Sequence, residues 1–288
     1  MPSVIKEAVD ALRAGKLVAF PTETVYGLGA DARSEAAVRR VFAAKGRPAD
    51  HPLIVHVASA EQVGAWARSV SDAAKALLER FSPGPLTLIL EKRDDVPDVV
   101  TGGQNTVGIR VPDHPIARAL LLAFDGGIAA PSANRFGSVS PTTAAHVALE
   151  LGDAVELILD GGPCRVGIES TIVDLSGDAP ALLRPGGISV EAIEAVLGRP
   201  LDGVSDVRAP GGLRSHYAPR ARVLAVDARE LEAVVRAQIG RVVVLGDRDV
   251  SGGARIDLPS DPNRAAPMLY GALREQAGRV ERRRERHV

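Results

Sequence analysis

The chain has 288 residues, of which 45% are hydrophobic, 25% charged and 3% aromatic, and its formal net charge is −1. This balance is typical of a globular protein with an aliphatic core, and such a small net charge gives no global attraction to nucleic acid or anionic membranes. The single cysteine, Cys164, excludes an internal disulfide and a cysteine-rich zinc site, and the lack of a long apolar run or signal-peptide pattern predicts a cytoplasmic protein without a membrane span.

Amphipathic helices are predicted where a serine precedes apolar residues at helical spacing. Ser3 begins the first of these helices, and Gly15 lies where the chain would leave it. Ser59 begins another, in which Gln62 would complete a capping box. The remaining helices predicted in this half of the chain cover 34–44 and 71–81.

Short apolar runs between and after these helices predict buried strands. The runs alternate only loosely with the helices, which favours an α/β (α+β) fold with a mixed sheet over a regular doubly wound one. The predicted strands cover 17–20, 53–57, 86–90, 107–111, 128–130, 157–159, 171–175 and 182–183.

The composition changes after Gly198. Residues 199–219 are rich in Pro, Gly, Asp and Ser without sustained periodicity, which is typical of a linker. An apolar run over 222–226, a helical pattern over 229–239 and a second run over 242–245 then predict a small β-α-β domain. The predicted boundaries are 1–200 for a large domain, 201–220 for the linker and 221–288 for the small domain.

The segment from Pro21 to Gly29 follows the first strand directly, at a position where α/β proteins often bind ligands. Its glycines would let the backbone approach a ligand, and its threonines offer hydroxyl groups. Because Gly27-Leu28-Gly29 has neither the dinucleotide-binding nor the P-loop spacing, a plain tight turn explains it at least as well.

Two basic residues, Lys45 and Arg47, stand one residue apart in a predicted loop. Together they could hold a polyphosphate, Lys45 as a point charge and Arg47 as a planar fork, or they could simply be solvated. His56 interrupts an apolar strand, where a histidine is more often a hydrogen-bonded core residue than a catalyst.

Small polar residues that follow a strand, Ser132, Asn134 and Ser140, suit phosphate or ribose oxygens. Thr106 and Arg110 flank another strand and could face the same cleft. These groups together favour a binding site for an anionic ligand.

Ser170 and Arg184 add a hydroxyl and a guanidinium further along the chain. No nucleophile stands beside a base: Cys164 has no histidine near it in sequence, and neither GxSxG nor HExxH occurs. A site of cations, hydroxyls and amides without covalent machinery is typical of nucleotidyl transfer, in which positioning and charge neutralisation carry catalysis.

In their order along the chain these segments resemble the YrdC-like family. The resemblance covers residues 3–200, and seven ordered matches are far more specific than any single motif. The Lys-x-Arg element of the family corresponds to Lys45 and Arg47, and its Ser-x-Asn element to Ser132 and Asn134. The matching segments are Thr22–Leu28, Lys45–Pro48 with Pro52, Leu53 and His56, Pro83–Thr87, Gly108–Pro112, Ser132–Asn134, Glu169–Thr171 and Arg184–Gly186.

Beyond residue 200 the chain resembles the long form of this family. Ser215–Pro219 resembles its linker, and Leu269–Arg274 resembles part of its extra C-terminal domain. Two features depart from the pattern: His51 stands where Asn is expected, and the C-terminal domain gives way early to the Arg-rich segment 279–287. The resemblance implies a twisted sheet with a large basic cavity, and a small Rossmann-like domain whose linker can cover that cavity.

The resemblance also implies a reaction, in which L-threonine, bicarbonate and ATP give threonylcarbamoyl-AMP and pyrophosphate with magnesium. A separate transferase would then pass the threonylcarbamoyl group to an adenosine of tRNA. Lys45 and Arg47 would be the catalytic residues, and no protein ligand set for a metal is expected. The implied ATP-binding residues are Lys45, Arg47, His51, Thr106, Ser132, Asn134, Ser140, Arg184 and, from the linker, Tyr217. The implied threonine-binding residues are Thr24, His56, Arg110, Ala130 and Ser170.

The sequence leaves two other functions as alternatives. An RNA-binding module could use the same basic cavity, although the net charge of −1 and the scarcity of aromatic residues for base stacking argue against direct RNA binding. A relative that transfers a carbamoyl group to another acceptor is the second alternative, and the linker signature around Tyr217 argues against it.

Overall fold

A nine-stranded mixed sheet forms the centre of the molecule. The computed structural model describes residues 2–211, 219, 221–239, 242–251 and 253–284. The strands of this sheet are β1 (Val18–Phe20), β2 (Gly27–Asp31), β3 (Ile54–His56), β4 (Leu86–Glu91), β5 (Thr106–Arg110), β6 (Ile128–Ala129), β7 (Leu157–Ile158), β8 (Thr171–Asp174) and β9 (Ala181–Arg184).

The order of the strands across the sheet is β7-β1-β2-β6-β3-β5-β4-β8-β9. β3 is parallel to β5 and β4 is parallel to β8, whereas β6 is antiparallel to both of its neighbours. This arrangement confirms the predicted mixed sheet, and every strand predicted before residue 200 is present within one or two residues of its expected bounds. The register pairs His56 with Arg110, so two of the predicted site residues are neighbours on the sheet.

Helices pack on both faces of the sheet. On one face the first and fifth helices bury Leu12 and Leu121 against Phe20, and on the other face the second and third helices bury Val41 and Leu77 in a larger apolar cluster. Removal of these aliphatic side chains from water supplies the main driving force for the fold. The helices are α1 (Pro2–Arg13), α2 (Glu35–Lys45), α3 (Asp72–Phe81), α4 (Asp98–Thr101), α5 (Pro115–Phe124), α6 (Ala144–Leu151), α7 (Val190–Leu197), α8 (Leu231–Ala237) and α9 (Pro262–Arg284).

Serine caps set the starts of α2 and α3 as predicted, because Ser34 and Ser71 each accept a backbone N–H bond at 3.3 Å. The capping box predicted at Ser59 is wrong. Residues Ala60–Ala65 form a short 3₁₀ helix without a side-chain cap, and Gln62 instead accepts a bond from the backbone of Ala58 at 2.8 Å. The segment stays short because Gly64 favours helix only weakly and Trp66 must turn directly into the core.

Gly27-Leu28-Gly29 belongs to strand β2 rather than to a loop, so the tight turn predicted there is wrong. Packing explains the glycines: a Cβ on Gly29 would lie 2.8 Å from Ile128 Cγ2 and 2.9 Å from Phe20 Cε1. The chain reverses before the strand, where the Thr22 hydroxyl donates to the backbone carbonyl of Val25 at 2.6 Å.

The C-terminal region contains α8, α9 and a two-stranded parallel sheet of β10 (Val243–Gly246) and β11 (Ala254–Asp257). The strand predicted over 222–226 is wrong, because no described part of the chain buries its apolar side chains: Val223 is 58% exposed and Leu224 is 43% exposed. The predicted helix and second strand are present, and β11 pairs with β10 instead. No helix in the described part of the chain is both long enough and apolar enough to span a bilayer.

Candidate functional site

A cavity opens beside the ends of the central strands. Three guanidinium groups, those of Arg47, Arg110 and Arg184, line it together with the carboxylate of Glu169. β3, β5 and β9 end at the wall, with His56, Arg110 and Arg184 as their last residues. The other lining residues are Thr22, Val25, Gly27, Ile54, Ala130, Pro131, Ser132, Ser170 and Pro210.

Arg110 is held by a buried carboxylate. Its Nη2 donates to Glu23 Oε1 at 2.6 Å, and its Nε donates to the backbone carbonyl of Gly84 at 3.3 Å. The second Glu23 oxygen accepts a bond from the backbone N–H of Asp113 at 2.9 Å. Because the Arg110 and Glu23 side chains are only 4% and 1% exposed, this ion pair fixes the guanidinium at the cavity wall.

His56 is the strand neighbour of Arg110. Burial and the nearby Arg110 charge lower the pKa of His56 to about 3, so the imidazole is neutral at physiological pH. Its Nδ1 lies 3.3 Å from the carbonyl oxygen of Ile54, and its ring meets Phe20 edge-on. His56 therefore offers the cavity a neutral polar surface rather than a proton.

Arg184 is fastened to the strand beside it. Its Nε and Nη2 donate to the backbone carbonyl of Ser170 at 3.1 and 2.8 Å, and Nη2 also donates to the Ser170 hydroxyl at 2.9 Å. Its Nη1 donates to the carbonyl of Pro210 at 3.0 Å. Pro210 falls within the predicted linker, so the middle of that segment forms part of the cavity wall.

Lys45 lies behind the cavity rather than in its wall. It is the last residue of α2 and is 3% exposed, and its Nζ donates to the backbone carbonyls of Ser132 and Asn134. Burial and the neighbouring charge of Arg47 lower the pKa of Lys45 to about 7. The lysine thus secures the loop that carries Ser132 into the cavity.

Asn134 and Ser140 stand at the two ends of the same loop. Asn134 Nδ2 donates to the carbonyls of Arg135 and Ser138 at 2.8 and 2.9 Å, while its buried Oδ1 has no hydrogen-bond partner among the described residues. The Ser140 hydroxyl donates to Glu169 Oε1 at 2.6 Å. Both residues therefore shape the wall from behind.

The structure brings about half of the predicted residues to the cavity and places the others behind it or away from it. Thr24 is buried one layer behind, with its hydroxyl 2.8 Å from that of Thr22. His51 lies in a loop with its ring edge-on to Phe136. Tyr217 lies outside the described residues. The predicted residues that line the cavity are Arg47, His56, Arg110, Ala130, Ser132, Ser170 and Arg184.

Thr106 is not brought to the cavity. It begins β5, where it pairs with Glu91, and it does not belong to the lining residues. Four residues along a strand span about 13 Å, which separates Thr106 from Arg110 at the other end of β5. Its contact with the nucleotide stays a prediction, without support from its position.

Two carboxylates at the site, Glu23 and Glu169, were not predicted as site residues. Both occur in segments that match the YrdC-like pattern, which was the available signal. Their partners Arg110 and Ser140 lie 87 and 29 residues away along the chain, so local spacing could not reveal the pairings.

Comparison with known proteins gives matches along nearly the whole chain. The Sua5/YciO/YrdC family model, described as "Telomere recombination", matches residues 10–186, and the model described as "Threonylcarbamoyl-AMP synthase, C-terminal domain" matches residues 188–282. The chain is 46% identical to a threonylcarbamoyl-AMP synthase of Pyrococcus abyssi, with 94% of this chain and 84% of that protein covered. It is 44% identical to a protein of the same name from Bacillus subtilis, with 94% and 83% covered. A crystal structure of P. abyssi Sua5 complexed with L-threonine is similar with a TM-score of 0.88 and 44% identity, covering 95% of this chain and 85% of that one.

Proposed function

The chain belongs to the Sua5/YciO/YrdC family, and we propose that it converts L-threonine, bicarbonate and ATP to threonylcarbamoyl-AMP and pyrophosphate. The observation that carries this proposal is the convergence of Arg47, Arg110 and Arg184 on one cavity, in a chain that is 46% identical to a threonylcarbamoyl-AMP synthase. The resemblance noted in the sequence supports the same activity.

L-Threonine would bind at the Arg110 end of the cavity. The Arg110 guanidinium is a planar fork suited to the carboxylate of the amino acid, and Glu23 keeps that fork oriented. Neutral His56 and the Ser170 hydroxyl would contact the rest of the substrate, with Thr24 supporting the wall from behind through Thr22. Ala130 would contribute its backbone and a small apolar surface.

ATP would lie toward Arg47, Arg184 and Ser132, which line the cavity together. The two arginines would neutralise the phosphates. The Ser132 hydroxyl would donate a hydrogen bond to the nucleotide directly. Contacts of the same nucleotide with the other predicted residues remain hypotheses; these residues are Lys45, His51, Thr106, Asn134, Ser140 and Tyr217. Lys45 would act from beneath the loop, where a bound polyphosphate would favour its protonated form.

The chemistry needs alignment more than it needs a covalent group. The threonine amine and bicarbonate would condense to a carbamate with loss of water, and the carbamate oxygen would then attack the α-phosphorus while the bond to pyrophosphate breaks. Fixed guanidinium groups in a partly enclosed cavity stabilise the charge that accumulates on the phosphates, because they need little reorganisation. The ion pairs and carbonyl bonds that hold Arg110 and Arg184 supply this rigidity.

Magnesium would arrive as the complex with ATP, and the donors beside the cavity suit it. Glu169 places two carboxylate oxygens in the wall at the Arg184 side, and Mg²⁺ prefers such oxygen ligands beside phosphate oxygens. When bound, the ion would neutralise phosphate charge and make pyrophosphate a better leaving group.

The wider context of the reaction is part of the same proposal. The product would be used by a separate transferase that modifies an adenosine of tRNA, in the cytoplasm. The predicted boundaries 1–200, 201–220 and 221–288 would correspond to a catalytic domain, a lid and a C-terminal domain.

The test is pyrophosphate release from ATP and magnesium, measured with and without L-threonine and bicarbonate. We expect release that requires both co-substrates. Turnover with carbamoyl phosphate but not threonine would instead indicate a carbamoyl-transferring relative, and salt-sensitive RNA binding without ATP turnover would indicate an RNA-binding module.

A further inference from the structure

The C-terminal helix α9 contacts three of the segments that build the cavity. Tyr270 packs with Val25 and Val139 in a small apolar cluster. Gly167 lies so close to the helix that a Cβ there would be 2.4 Å from Pro267 Cα. Helix α9 therefore supports the wall of the cavity from outside.

Arg274 is the polar centre of this contact. Its Nε donates to the backbone carbonyl of Ser140 at 3.1 Å, and its Nη2 donates to the carbonyl of Val139 and to Glu150 Oε2. Glu150 Oε1 accepts a bond from the backbone N–H of Arg135 at 2.9 Å. One ion pair thus holds both ends of the 135–140 loop, and with only 11% of the Arg274 side chain exposed, solvent weakens it little.

The contacts continue from Arg274 into the cavity. Ser140, whose carbonyl accepts from Arg274, donates its hydroxyl to Glu169 Oε1 at 2.6 Å. Glu169 lines the cavity, and its Oε2 lies 3.9 Å from Arg184 Nη2. A residue of the C-terminal helix is therefore linked through two side chains to a guanidinium in the cavity wall.

We propose that Arg274 is a positioning residue for the nucleotide side of the cavity, an inference that rests on the proposed function. It fixes Ser140, whose hydroxyl in turn holds the Glu169 carboxylate in the cavity wall beside Arg184. The threonine side has different supports, because Arg110 is held by Glu23 and by its register with His56. Loss of Arg274 should therefore weaken ATP binding much more than threonine binding.

The experiment compares Arg274→Ala and Arg274→Lys with Arg255→Ala, which removes an arginine whose ion pairs with Asp249 and Asp257 stay within the C-terminal region. We expect Arg274→Ala to raise KM for ATP about tenfold, the size of one charge-assisted contact, and KM for L-threonine less than about twofold. Arg274→Lys should recover part of the loss, because an ammonium can still donate to one or two of the acceptors. Arg255→Ala should leave both constants within about twofold of wild type.

Equilibrium binding of ATP alone should weaken by the same factor as KM rises. Equal rises for both substrates, or an unchanged KM for ATP in folded Arg274→Ala protein, would overturn the inference. If the alanine variant does not fold, as judged by thermal melting, the same comparison is decided by Arg274→Lys. If wild-type protein releases no threonine-dependent pyrophosphate, the proposed function fails, while the ATP-binding comparison still tests Arg274.

Discussion

The two sides of the cavity are built in different ways. On the strand side, His56 and Arg110 are paired in register on neighbouring strands, and Glu23 closes a buried ion pair with Arg110. On the loop side, Ser132 is joined to β2 by an isolated bridge to Gly27, and the irregular loop that follows it is held by side chains from elsewhere, Lys45 from α2 and Arg274 from α9.

Substitutions on the strand side should therefore mainly lower stability, and substitutions on the loop side should mainly disturb the positions of the binding groups. Backbone pairing fixes the strand side, so the main cost of a change there is a buried charge left without its partner. Backbone pairing on the loop side is confined to the bridge at Ser132 among the described residues, so a change in the loop beyond it should alter the geometry of binding while leaving most of the sheet intact.

The largest loss of stability is expected for Glu23→Ala, which leaves Arg110 charged and buried without its partner. We expect the free energy of unfolding to fall by about 3–5 kcal/mol, measured by urea denaturation. Asp94→Ala removes the exposed partner of Arg68 and should cost at most about 1 kcal/mol. A loss at Glu23 no larger than that at Asp94 would show that the ion pair does not anchor the strand side.

On the loop side, Arg47→Ala should reduce activity strongly and stability only slightly. Removing one fixed cation from the phosphates should lower kcat/KM for ATP about 10²- to 10³-fold, measured by pyrophosphate release, with only a small change in melting temperature. Arg39→Ala is the matched control, because Arg39 lies on α2, the helix that ends two residues before Arg47, and is exposed in an ion pair with Glu35. An Arg47 variant that retains wild-type activity would remove the phosphate role of this residue.

The same contrast explains what the sequence could reveal. Most strands of the central sheet and the helices that follow Ser34 and Ser71 were predictable, because apolar runs and serine caps are local signals. Arg47, Arg110 and Ser132 were found through motifs whose residues stand close together in the chain.

Features that depend on distant partners were not predictable. Gly29 is required by Phe20 and Ile128, and no local pattern distinguishes that packing from a glycine-rich loop. Lys45 turns to backbone carbonyls 87 and 89 residues away, so a residue expected at the phosphates lies behind the loop. The strand expected over 222–226 failed because an apolar run forms a strand only where another surface buries it.

Lys45 also predicts how stability depends on pH. Its pKa is about 7 in the folded protein against 10.5 ordinarily, so between these values the unfolded chain binds a proton that the folded chain has released. Stability attributable to Lys45 should therefore rise with pH from about 7 to about 10.5, with the full cost of burying the charge present below pH 7.

Between pH 7 and pH 9, we expect the free energy of unfolding of the wild type to rise by about 2 kcal/mol relative to that of the Lys45→Met variant, in buffer without phosphate. The methionine variant is the control, since it fills similar volume and cannot titrate. A difference that stays constant with pH would mean that the lysine remains charged at the loop, and that the loop side is held by an ion rather than by neutral hydrogen bonds.

Thr106→Ala should have the smallest effect, because Thr106 lies on β5 about 13 Å from Arg110 and outside the lining residues. We expect KM for ATP to change less than about twofold, whereas Ser132→Ala, on the loop side, should raise it about tenfold. Equal rises for the two variants would mean that the nucleotide extends along the strand away from the loop. The strand side would then bind ATP as well as threonine, and the division of the cavity into two differently supported sides would no longer hold.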